Sequence, residues 1–323
     1  MQRRNALTRL TACTALVGGL PWWAGCTDAA PLRVGIHPWV GYETLLLAQE
    51  FNWLSSRVQL EPMADLSRTA QALRSGEIDA GCVTLDEVLR LRSQGVSVLV
   101  GLVFDVSAGA DVVVASNAIK RPQDLAGKRI GVEPGALGSL ILQALLRHAQ
   151  LPLSALKVVD LPVEQQMAAW RKHSVDAIIC YEPNATLLQR EGAQRIFDSR
   201  QMPDTILDVL AVRSDRSDRN IESLKVLLQG HFKGLAHLQA NRQDAVYRIS
   251  ARQKITPREV QQVLAGVVIP TLEANRQYLA AGKNRLDDAA RRVSTLMVQG
   301  GLLPKDDSLD GLSSGAWLPR DEN

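Results

Sequence analysis

The sequence contains none of the short motifs that mark the common covalent and metal chemistries. Among its 323 residues there is no Gly-x-Ser-x-Gly, no His-Glu-x-x-His, no phosphate-loop Gly-Lys-Ser/Thr and no cysteine pair at zinc-ligand spacing. The histidines, at positions 37, 148, 173, 231 and 237, are scattered, and only His37 follows a predicted strand, where it is expected to be structural or to line a site. We therefore expect a binding protein and not an enzyme, with no catalytic residue, cofactor or metal.

Two aromatic residues follow the first predicted strand, on a loop whose shape a proline and a glycine restrict. The loop reads His37-Pro38-Trp39-Val40-Gly41-Tyr42-Glu43, in a chain that is only 4% aromatic. An aromatic face offers stacking or cation–π attraction worth about 0.5 to 2 kcal/mol in a partly dry cleft. We predict that Trp39 and Tyr42 contact a ligand; the alternative is that they hold the loop on the core.

Polar side chains follow the third and fourth predicted strands, where open α/β sheets bind their ligands. Thr84-Leu85-Asp86-Glu87 follows the third strand, and Asp105-Val106-Ser107-Ala108-Gly109-Ala110-Asp111 follows the fourth. We predict ligand contacts from Thr84, Asp86, Asp105 and Ser107. Two alternatives stay open: Thr84 or Asp86 acts only as a helix N-cap, or Asp105 or Asp111 only ties down backbone amides where the chain bends.

The second half of the α/β pattern offers two further candidate loops. Gly131 to Ser139 opens a helix whose backbone amides would suit an anion, with Glu133 and Gly138 as candidate contacts, although a plain helix start explains it too. Cys180-Tyr181-Glu182-Pro183 adds an aromatic ring and a carboxylate at another helix start. We predict ligand contacts from Tyr181 and Glu182; alternatively, the helix dipole alone favours Glu182 there.

These loops connect strand-length apolar runs that alternate with stretches of helical period. Such alternation predicts mostly parallel sheets covered by helices. The predicted strands are 32–36, 58–61, 79–83, 96–104, 111–115, 129–132, 157–160, 175–181, 195–197 and 209–212. The helices predicted between them are 43–54, 67–75, 85–94, 138–148, 163–173 and 183–191.

The C-terminal third is predicted to be helical, in the segments 221–241, 244–254, 256–265, 271–281 and 286–299. Thr256-Pro257-Arg258-Glu259 has the spacing of a capping box with a first-turn proline. Because these helices have no strands of their own to cover, we expect them on the first sheet. The expected first lobe is then 32–110 plus 209–323 and the second lobe 111–208, with two adjacent crossings that form a hinge beside a cleft.

The first 25 residues have the order of charge, apolar stretch and small-residue processing site expected of an export signal. Arg3, Arg4 and Arg9 precede a modestly apolar run, and Trp23-Ala24-Gly25-Cys26 ends it. The small-small-Cys ending resembles a lipobox, which makes Cys26 the expected lipid-bearing residue and 26–31 a tether. A conventional soluble cleavage nearby is the alternative, and residues 2–7 also resemble a twin-arginine signal.

Charge and cysteine usage narrow the partners further. Three of the 37 Lys and Arg residues lie in the leader, which leaves 34 basic against 34 acidic residues and no electrostatic signature of nucleic acid or an anionic membrane surface. Cys82 and Cys180 lie in apolar runs, which favours buried free thiols over a disulfide. No later apolar run reaches the roughly 18 residues of a membrane span.

The order of several of these segments resembles the substrate-binding proteins of ABC importers, and among them the nitrate, sulfonate, taurine and thiamine-precursor group, the NMT1/THI5-like proteins. The resemblance rests on Pro38-Trp39-Val40-Gly41-Tyr42-Glu43, Asp124-Leu125-Ala126-Gly127-Lys128 and Tyr181-Glu182-Pro183, and it covers nearly the whole chain after the leader. It implies a type II periplasmic-binding fold with two lobes that close on a small solute, and delivery to a membrane permease. The group also includes pyrimidine-synthase enzymes with a Cys-rich loop, which this sequence lacks.

The resemblance by itself suggests an anionic ligand, but the candidate loops contain no Lys or Arg. They contain Glu43, Asp86, Asp105, Asp111, Glu133 and Glu182. Two like charges 4 Å apart repel by roughly 4 kcal/mol at an effective dielectric constant of about 20. We therefore predict a small cationic or donor-rich solute, such as an amine or a pyrimidine-like ring, bound by a periplasmic monomer that serves a permease or, alternatively, a membrane-bound sensor.

Overall fold

The computed structural model describes residues 30–282 and 284–320, so the expected leader, Cys13 and the expected lipid site Cys26 lie outside the described residues. Eleven strands occur in the described part of the chain. In chain order they are β1 (Leu32–Ile36), β2 (Val58–Pro62), β3 (Ala80–Thr84), β4 (Val98–Ser107), β5 (Asp111–Ala115), β6 (Arg129–Val132), β7 (Lys157–Asp160), β8 (Ala177–Tyr181), β9 (Gln194–Asp198), β10 (Leu207–Arg213) and β11 (Val267–Val268).

Twelve α-helices accompany these strands within the described residues. They are α1 (Glu43–Glu50), α2 (Leu66–Ser75), α3 (Leu85–Ser93), α4 (Ala136–Ala149), α5 (Val163–Arg171), α6 (Asn184–Arg190), α7 (Ser214–Ser217), α8 (Ile221–Ala240), α9 (Arg242–Gln253), α10 (Pro257–Leu264), α11 (Leu272–Tyr278) and α12 (Arg285–Gln299). Each predicted strand is present with ends within three residues of the prediction, and α7 and β11 were not predicted. No helix within 30–282 or 284–320 has the length and apolar character needed to cross a bilayer.

The strands form two mixed sheets, which confirms the α/β class. The first has the order β11-β4-β10-β3-β1-β2 and the second the order β7-β6-β8-β5-β9. The prediction of mostly parallel pairing is incomplete, because β10 runs antiparallel between β3 and β4, and β5 runs antiparallel between β8 and β9. Strand direction depends on how the chain returns from the other sheet, and apolar runs carry no information about it.

The chain passes between the sheets twice, and the two crossings lie side by side. The Ser107 hydroxyl is 2.8 Å from the Ser199 hydroxyl, and the backbone N–H of Gly109 donates to Ser199 Oγ at 2.6 Å. The N–H of Ser107 also donates to the carbonyl of Ile206 at 3.0 Å. This is the paired crossing of a type II periplasmic-binding hinge.

Several helices after β10 pack on the first sheet or on helices that connect its strands. α8 packs on α1 and β2, α11 on β4, and α12 on α3. The capping box at Thr256 is confirmed, since Thr256 and Glu259 each bind the other's backbone N–H. Both cysteines of the described residues, Cys82 and Cys180, are buried free thiols, as predicted.

The two lobes are closed upon each other. Val88 of α3 and Leu140 of α4 belong to one continuous apolar cluster that spans both sheets, and from Pro31 onward the chain is a single compact unit. Burial of apolar surface across the cleft is favourable by roughly 25 cal/mol per Å².

The packing of α8 on α1 holds the aromatic loop in place, and it depends on a glycine. A Cβ on Gly234 would lie 2.0 Å from the carbonyl oxygen of Thr44, whereas a Cβ on Gly230 would lie 2.4 Å from the end of the flexible Leu54 side chain and 3.4 Å from the Cβ of Ala48. Backbone cannot move aside as a flexible side chain can.

We expect Gly234→Ala to lower the melting temperature by several degrees. Overpacking costs about 1 to 3 kcal/mol and outweighs the roughly 1 kcal/mol that alanine gains in helix propensity. Gly230→Ala on the same helix is the matched control and should change the melting temperature little. Thermal unfolding followed by circular dichroism measures both, and equal effects of the two variants would contradict the packing argument.

Candidate ligand-binding site between the lobes

The register of the first sheet places three polar residues in one row at its edge facing the cleft. Asp208, near the start of the antiparallel strand β10, pairs with Thr84 at the end of β3 and with Asp105 near the end of β4. Because β10 runs in the opposite direction, its first residues lie beside the carboxyl ends of its neighbours. Across the hinge, Asp111 pairs with Tyr181 in the second sheet.

These residues surround a small cavity between the lobes, which we call the inner chamber. Its volume is about 10 Å³. Its lining comes from both lobes and consists of His37, Trp39, Leu66, Thr84, Asp111, Leu137, Tyr181 and Asp208. None of the eight is a lysine or an arginine. The structure thus brings together Trp39, Thr84 and Tyr181 of the predicted contacts.

Trp39 lines the chamber and also contacts Asp105, which is buried but is not part of the lining. The indole Nε1–H donates to Asp105 Oδ2 at 2.9 Å, and the indole ring packs edge-to-face on Tyr181 with centroids 5.9 Å apart. A Cβ on Gly41 would lie 1.7 Å from the same Asp105 oxygen. The glycine at position 41 therefore leaves the space that Asp105 needs to accept the hydrogen bond from Trp39.

Tyr42 is fully buried and lies outside the residues that line the chamber. Its hydroxyl donates to Asp208 Oδ1, and its ring packs edge-to-face on His37 and Phe104. Its contacts in the closed form are thus those of a residue that fixes Asp208, as in the core-anchoring alternative.

Several buried oxygens have no hydrogen-bond partner among the described residues, in the chamber lining at Thr84 and Asp111 and outside it at Asp86 and Asp105. They are Thr84 Oγ1, both oxygens of Asp86, Asp105 Oδ1 and Asp111 Oδ2. Thr84 occupies the N-cap position of α3, but its side chain makes no capping hydrogen bond. Buried polar groups without partners are costly and call for a ligand or water.

Burial controls the protonation of these carboxyls. Burial, together with neighbouring carboxylates, raises the pKa of Asp86 to about 7, that of Asp105 to about 8 and that of Asp111 to about 7. The pKa of Asp208 is raised well above its ordinary value by burial and by Asp105 and Asp111. The buried carboxyls of the closed form therefore hold protons near neutral pH.

Three other predicted contacts have local structural partners. Ser107 binds Ser199 and the backbone N–H of Asp111 within the hinge. Glu182 accepts from the N–H of Thr186 in α6 at 2.9 Å and pairs with Arg195 at 3.4 Å, which matches the helix-dipole alternative. Gly138 allows α4 to begin, since a Cβ there would lie 2.5 Å from the carbonyl oxygen of Glu133.

Two carboxylates form a reciprocal contact across the cleft, which we call the seam. Glu87 of the first lobe accepts from the N–H of Ala136, at the N-terminus of α4 in the second lobe, at 2.6 Å. Glu133 of the second lobe accepts from the N–H of Ser67, in the first turn of α2, at 3.3 Å. The N-terminus of α4 is a favourable place for a negative charge, so the predicted anion position there is filled by Glu87. Burial, with a contribution from Asp65, raises the pKa of Glu133 to about 8.

A second and larger space, the outer cavity, adjoins the chamber and shares His37 and Tyr181 with it. Its volume is about 420 Å³. The lining includes apolar Ile36, Pro38, Leu46, Pro62, Met63, Ala64, Val163 and Pro183, and polar Glu43, Asn184, Arg252, Gln253 and Lys254. Arg252 is bound to Glu43 Oε2 at 2.7 Å.

Sequence reasoning missed two residues of the site. Asp208 was read only as the point where the chain returns, and Glu87 only as part of a loop after a strand. A carboxylate at the first residues of a buried returning strand is a signal that could have identified Asp208. No signal exists for Glu87, because its partner lies in the other lobe. Within residues 30–282 and 284–320 no His, Cys, Asp and Glu side chains form a group able to hold a metal ion.

Comparison with known proteins agrees with this architecture. The family model described as NMT1/THI5 like matches residues 45–245. The chain belongs to the NMT1/THI5-like family. Membership confirms the resemblance drawn from the aromatic loop and the Asp-Leu-Ala-Gly-Lys segment.

Among relatives of this NMT1/THI5-like chain, the taurine-binding periplasmic protein of Escherichia coli is 28% identical over 158 residues, 48% of this chain and 49% of that protein. The chain spans about half the length of the curated relatives it matches. The alkanesulfonate-binding protein SsuA from Xanthomonas axonopodis pv. citri, bound to MOPS, has a TM-score of 0.71 at 18% identity, covering 88% of this chain and 98% of that one.

The same fold also occurs in an enzyme. The desulfurization enzyme DszB has a TM-score of 0.64 at 18% identity, covering 90% of this chain and 98% of that one. At such identities the likeness shows the fold alone, so the function of this family member has to be argued from its own residues.

We expect Asp111→Asn to raise the melting temperature of the ligand-free protein by roughly 5 °C at pH 8 and to leave it unchanged at pH 4. The pKa of Asp111 is raised to about 7 in the folded protein, above the unfolded value of about 4. Its carboxyl therefore costs no stability below pH 4 and costs increasingly more up to pH 7.

The matched control is Asp176→Asn in the same lobe. The hydrogen bond from Arg129 lowers the pKa of Asp176, so ionised Asp176 stabilises the folded protein above its unfolded pKa. This variant should lower the melting temperature at pH 8. Differential scanning fluorimetry from pH 4 to 9 measures both variants, and effects of the same sign at pH 8 would refute the assignment.

Proposed function

We propose that this protein is the solute-binding component of an ABC importer, located in the periplasm, and that its lobes close on a small solute which it delivers to a membrane permease. The family, the two-lobed fold with a double crossing and the periplasmic relatives support this role. Anchoring to the membrane through a lipid on Cys26, a monomeric state and a permease as the partner are parts of the same proposal.

The solute we propose carries an ammonium or several N–H donors. The observation that carries this proposal is the inner chamber, where buried oxygens of Thr84 and Asp111 have no partner among the described residues and no lysine or arginine contributes to the lining. A cation there restores the ionised form of the carboxyls and satisfies their oxygens. Charge-assisted hydrogen bonds of this kind are about twice as strong as neutral ones.

A sulfonate or another anion is the second candidate, favoured by the taurine-binding and alkanesulfonate-binding proteins that this chain resembles. Once Asp111, with a pKa of about 7, is ionised, an anion would meet like charge in the chamber, and the N-terminus of α4 is already bound by Glu87. Taurine itself is a zwitterion, so a solute of that type would enter the chamber with its ammonium. The relatives and the chamber are compatible on that basis.

An enzymatic role finds no support in the described thiols. Burial raises the pKa of Cys82 and of Cys180 well above the ordinary thiol value, which disfavours the reactive thiolate. A binding function needs only a shift of population from open to closed lobes, provided that the solute contacts both. Asp208 and Asp111 supply those contacts from the two sides of the hinge.

The direct test is isothermal titration calorimetry with ethylamine, taurine and ethanesulfonate at pH 6 and pH 9. We expect ethylamine to bind, and to bind at least roughly tenfold more tightly at pH 9, because carboxyls with a pKa of about 7 to 8 must lose a proton to receive a cation. Proton release should appear as a dependence of the heat on the buffer's ionisation enthalpy.

The anion control decides between the two candidates. Ethanesulfonate lacks the ammonium and should not bind, whereas taurine carries both groups. Ethanesulfonate binding with no response to either amine would reject the cationic chamber and favour the anion. Asp111→Asn should reduce the pH dependence if the chamber is the site, because one of the carboxyls that must lose a proton is then absent.

The seam should stabilise the closed form directly. We expect Glu87→Ala to weaken binding of any solute about tenfold, because hydrogen bonds to charged groups contribute about 1.5 to 3 kcal/mol, and to increase the radius of gyration in small-angle X-ray scattering. Glu164→Ala, at an exposed first-turn position of α5, is the control. A radius of gyration that stays the same for Glu87→Ala would show that the seam does not hold the lobes together.

A further inference from the structure

The inner chamber is too small for a whole solute. Its volume of about 10 Å³ compares with the roughly 10 to 15 Å³ needed to hold a single water. One ammonium group is of that size, and any carbon skeleton attached to it must lie elsewhere. The rest of the solute must therefore be bound outside the chamber.

The outer cavity is the neighbouring space, and His37 and Tyr181 line both it and the chamber. Its volume of about 420 Å³ is about forty times that of the chamber. Leu46, Met63 and Val163 give it apolar walls from both lobes. Ligand cavities with mostly apolar walls and a few polar groups bind the body of a small molecule.

His37 presents a hydrogen-bond acceptor between the two spaces. The Thr69 hydroxyl donates to the carbonyl of Asp65 at 2.9 Å, so its proton is committed, and it must accept from His37 Nδ1–H at 3.2 Å. Burial lowers the pKa of His37 to about 3, which keeps the ring neutral. Nε2 is then the unprotonated nitrogen of the ring and can accept from a ligand.

Gln253 supplies a second acceptor to the outer cavity. Its amide N–H donates to Glu43 Oε1 at 2.8 Å, while its carbonyl Oε1 is buried and has no partner within the described part of the chain. Arg252 neutralises Glu43 from the other side. His37 and Gln253 therefore each offer an acceptor to a ligand, in a lining that also contains the donors Asn184, Arg252 and Lys254.

We propose that the outer cavity is a second subsite of the same binding site, in which the apolar or flat body of an amine lies against Met63 and Leu46 and donates an N–H or O–H to His37 Nε2 or Gln253 Oε1. This inference rests on the proposed function, since it assumes that the ammonium occupies the inner chamber. It names the solute class as a primary amine of about ten heavy atoms with a second donor on its body.

Three amines test the subsite by calorimetry: ethylamine, 2-phenylethylamine and tyramine, which adds one hydroxyl to the ring. We expect the wild-type protein to prefer 2-phenylethylamine over ethylamine at least tenfold, because a buried aromatic ring gains several kcal/mol from its apolar area. Tyramine should bind more tightly again through its hydroxyl.

Variants assign the preferences to the cavity. Met63→Trp should fill the outer cavity and remove the preference for the aromatic amine, whereas Met167→Trp, on α5 away from this cavity, should retain it. Ala64→Trp, at an exposed position of the lining, repeats the test where folding is not at risk. His37→Phe should abolish the gain from the tyramine hydroxyl, and His37→Gln, which keeps an acceptor, should restore part of it.

The possible outcomes separate the two proposals. If the amines bind with equal affinities, or if both cavity-filling variants keep the aromatic preference, the second subsite is wrong and the cationic chamber stands. If no amine binds to the wild-type protein, the chamber proposal fails and the subsite fails with it. A preference for the aromatic amine that the Met63 and Ala64 variants remove supports both.

Discussion

The structure depends on keeping several carboxyl groups buried and close together where the two sheets meet. Trp39 and Tyr42 make this possible, because each donates one hydrogen bond, to Asp105 and to Asp208 respectively, and each shields its carboxyl from water. The cost of burial appears as pKa values raised toward and above neutrality. Carboxyls whose pKa values are raised by burial occur often at functional sites, and a bound ligand of positive charge lowers those pKa values again.

The same constraint connects chemistry with motion. Opening of the lobes would expose the carboxyls to water and remove the free-energy cost of burying their charge. Closure without a cation requires the carboxyls to take up protons. The seam contacts act in the other direction, because Glu87 places a negative charge at the N-terminus of α4 in the opposite lobe and Glu133 accepts from the backbone N–H of Ser67. The seam contacts thus stabilise the closed form, whereas burial of the chamber carboxyls destabilises it, and the proposed solute would shift the population toward the closed form.

The same fold serves different chemistries in different proteins. A sulfonate-binding protein and a desulfurization enzyme share this architecture, so specificity has to reside in the strand-end residues and not in the sheets. In this chain those residues are acceptors almost throughout, from the carboxyls of the chamber to His37 and Gln253. The small volume of the inner chamber also limits the size of the group that can enter it.

The sequence by itself determined the elements of the fold and several residues of the site. Apolar periodicity placed each predicted strand, and the rule that ligands bind at strand ends selected Trp39, Thr84 and Tyr181, because both follow from local pattern. Only the tertiary structure decided strand direction in the sheets, and therefore that Asp208 lies beside Thr84 and Asp105. It also decided that Tyr42 fixes Asp208 and that Glu87 occupies the helix end of the other lobe. These are contacts between residues 49 to 166 positions apart in the chain, and local sequence cannot encode them because they depend on how two separately formed sheets meet.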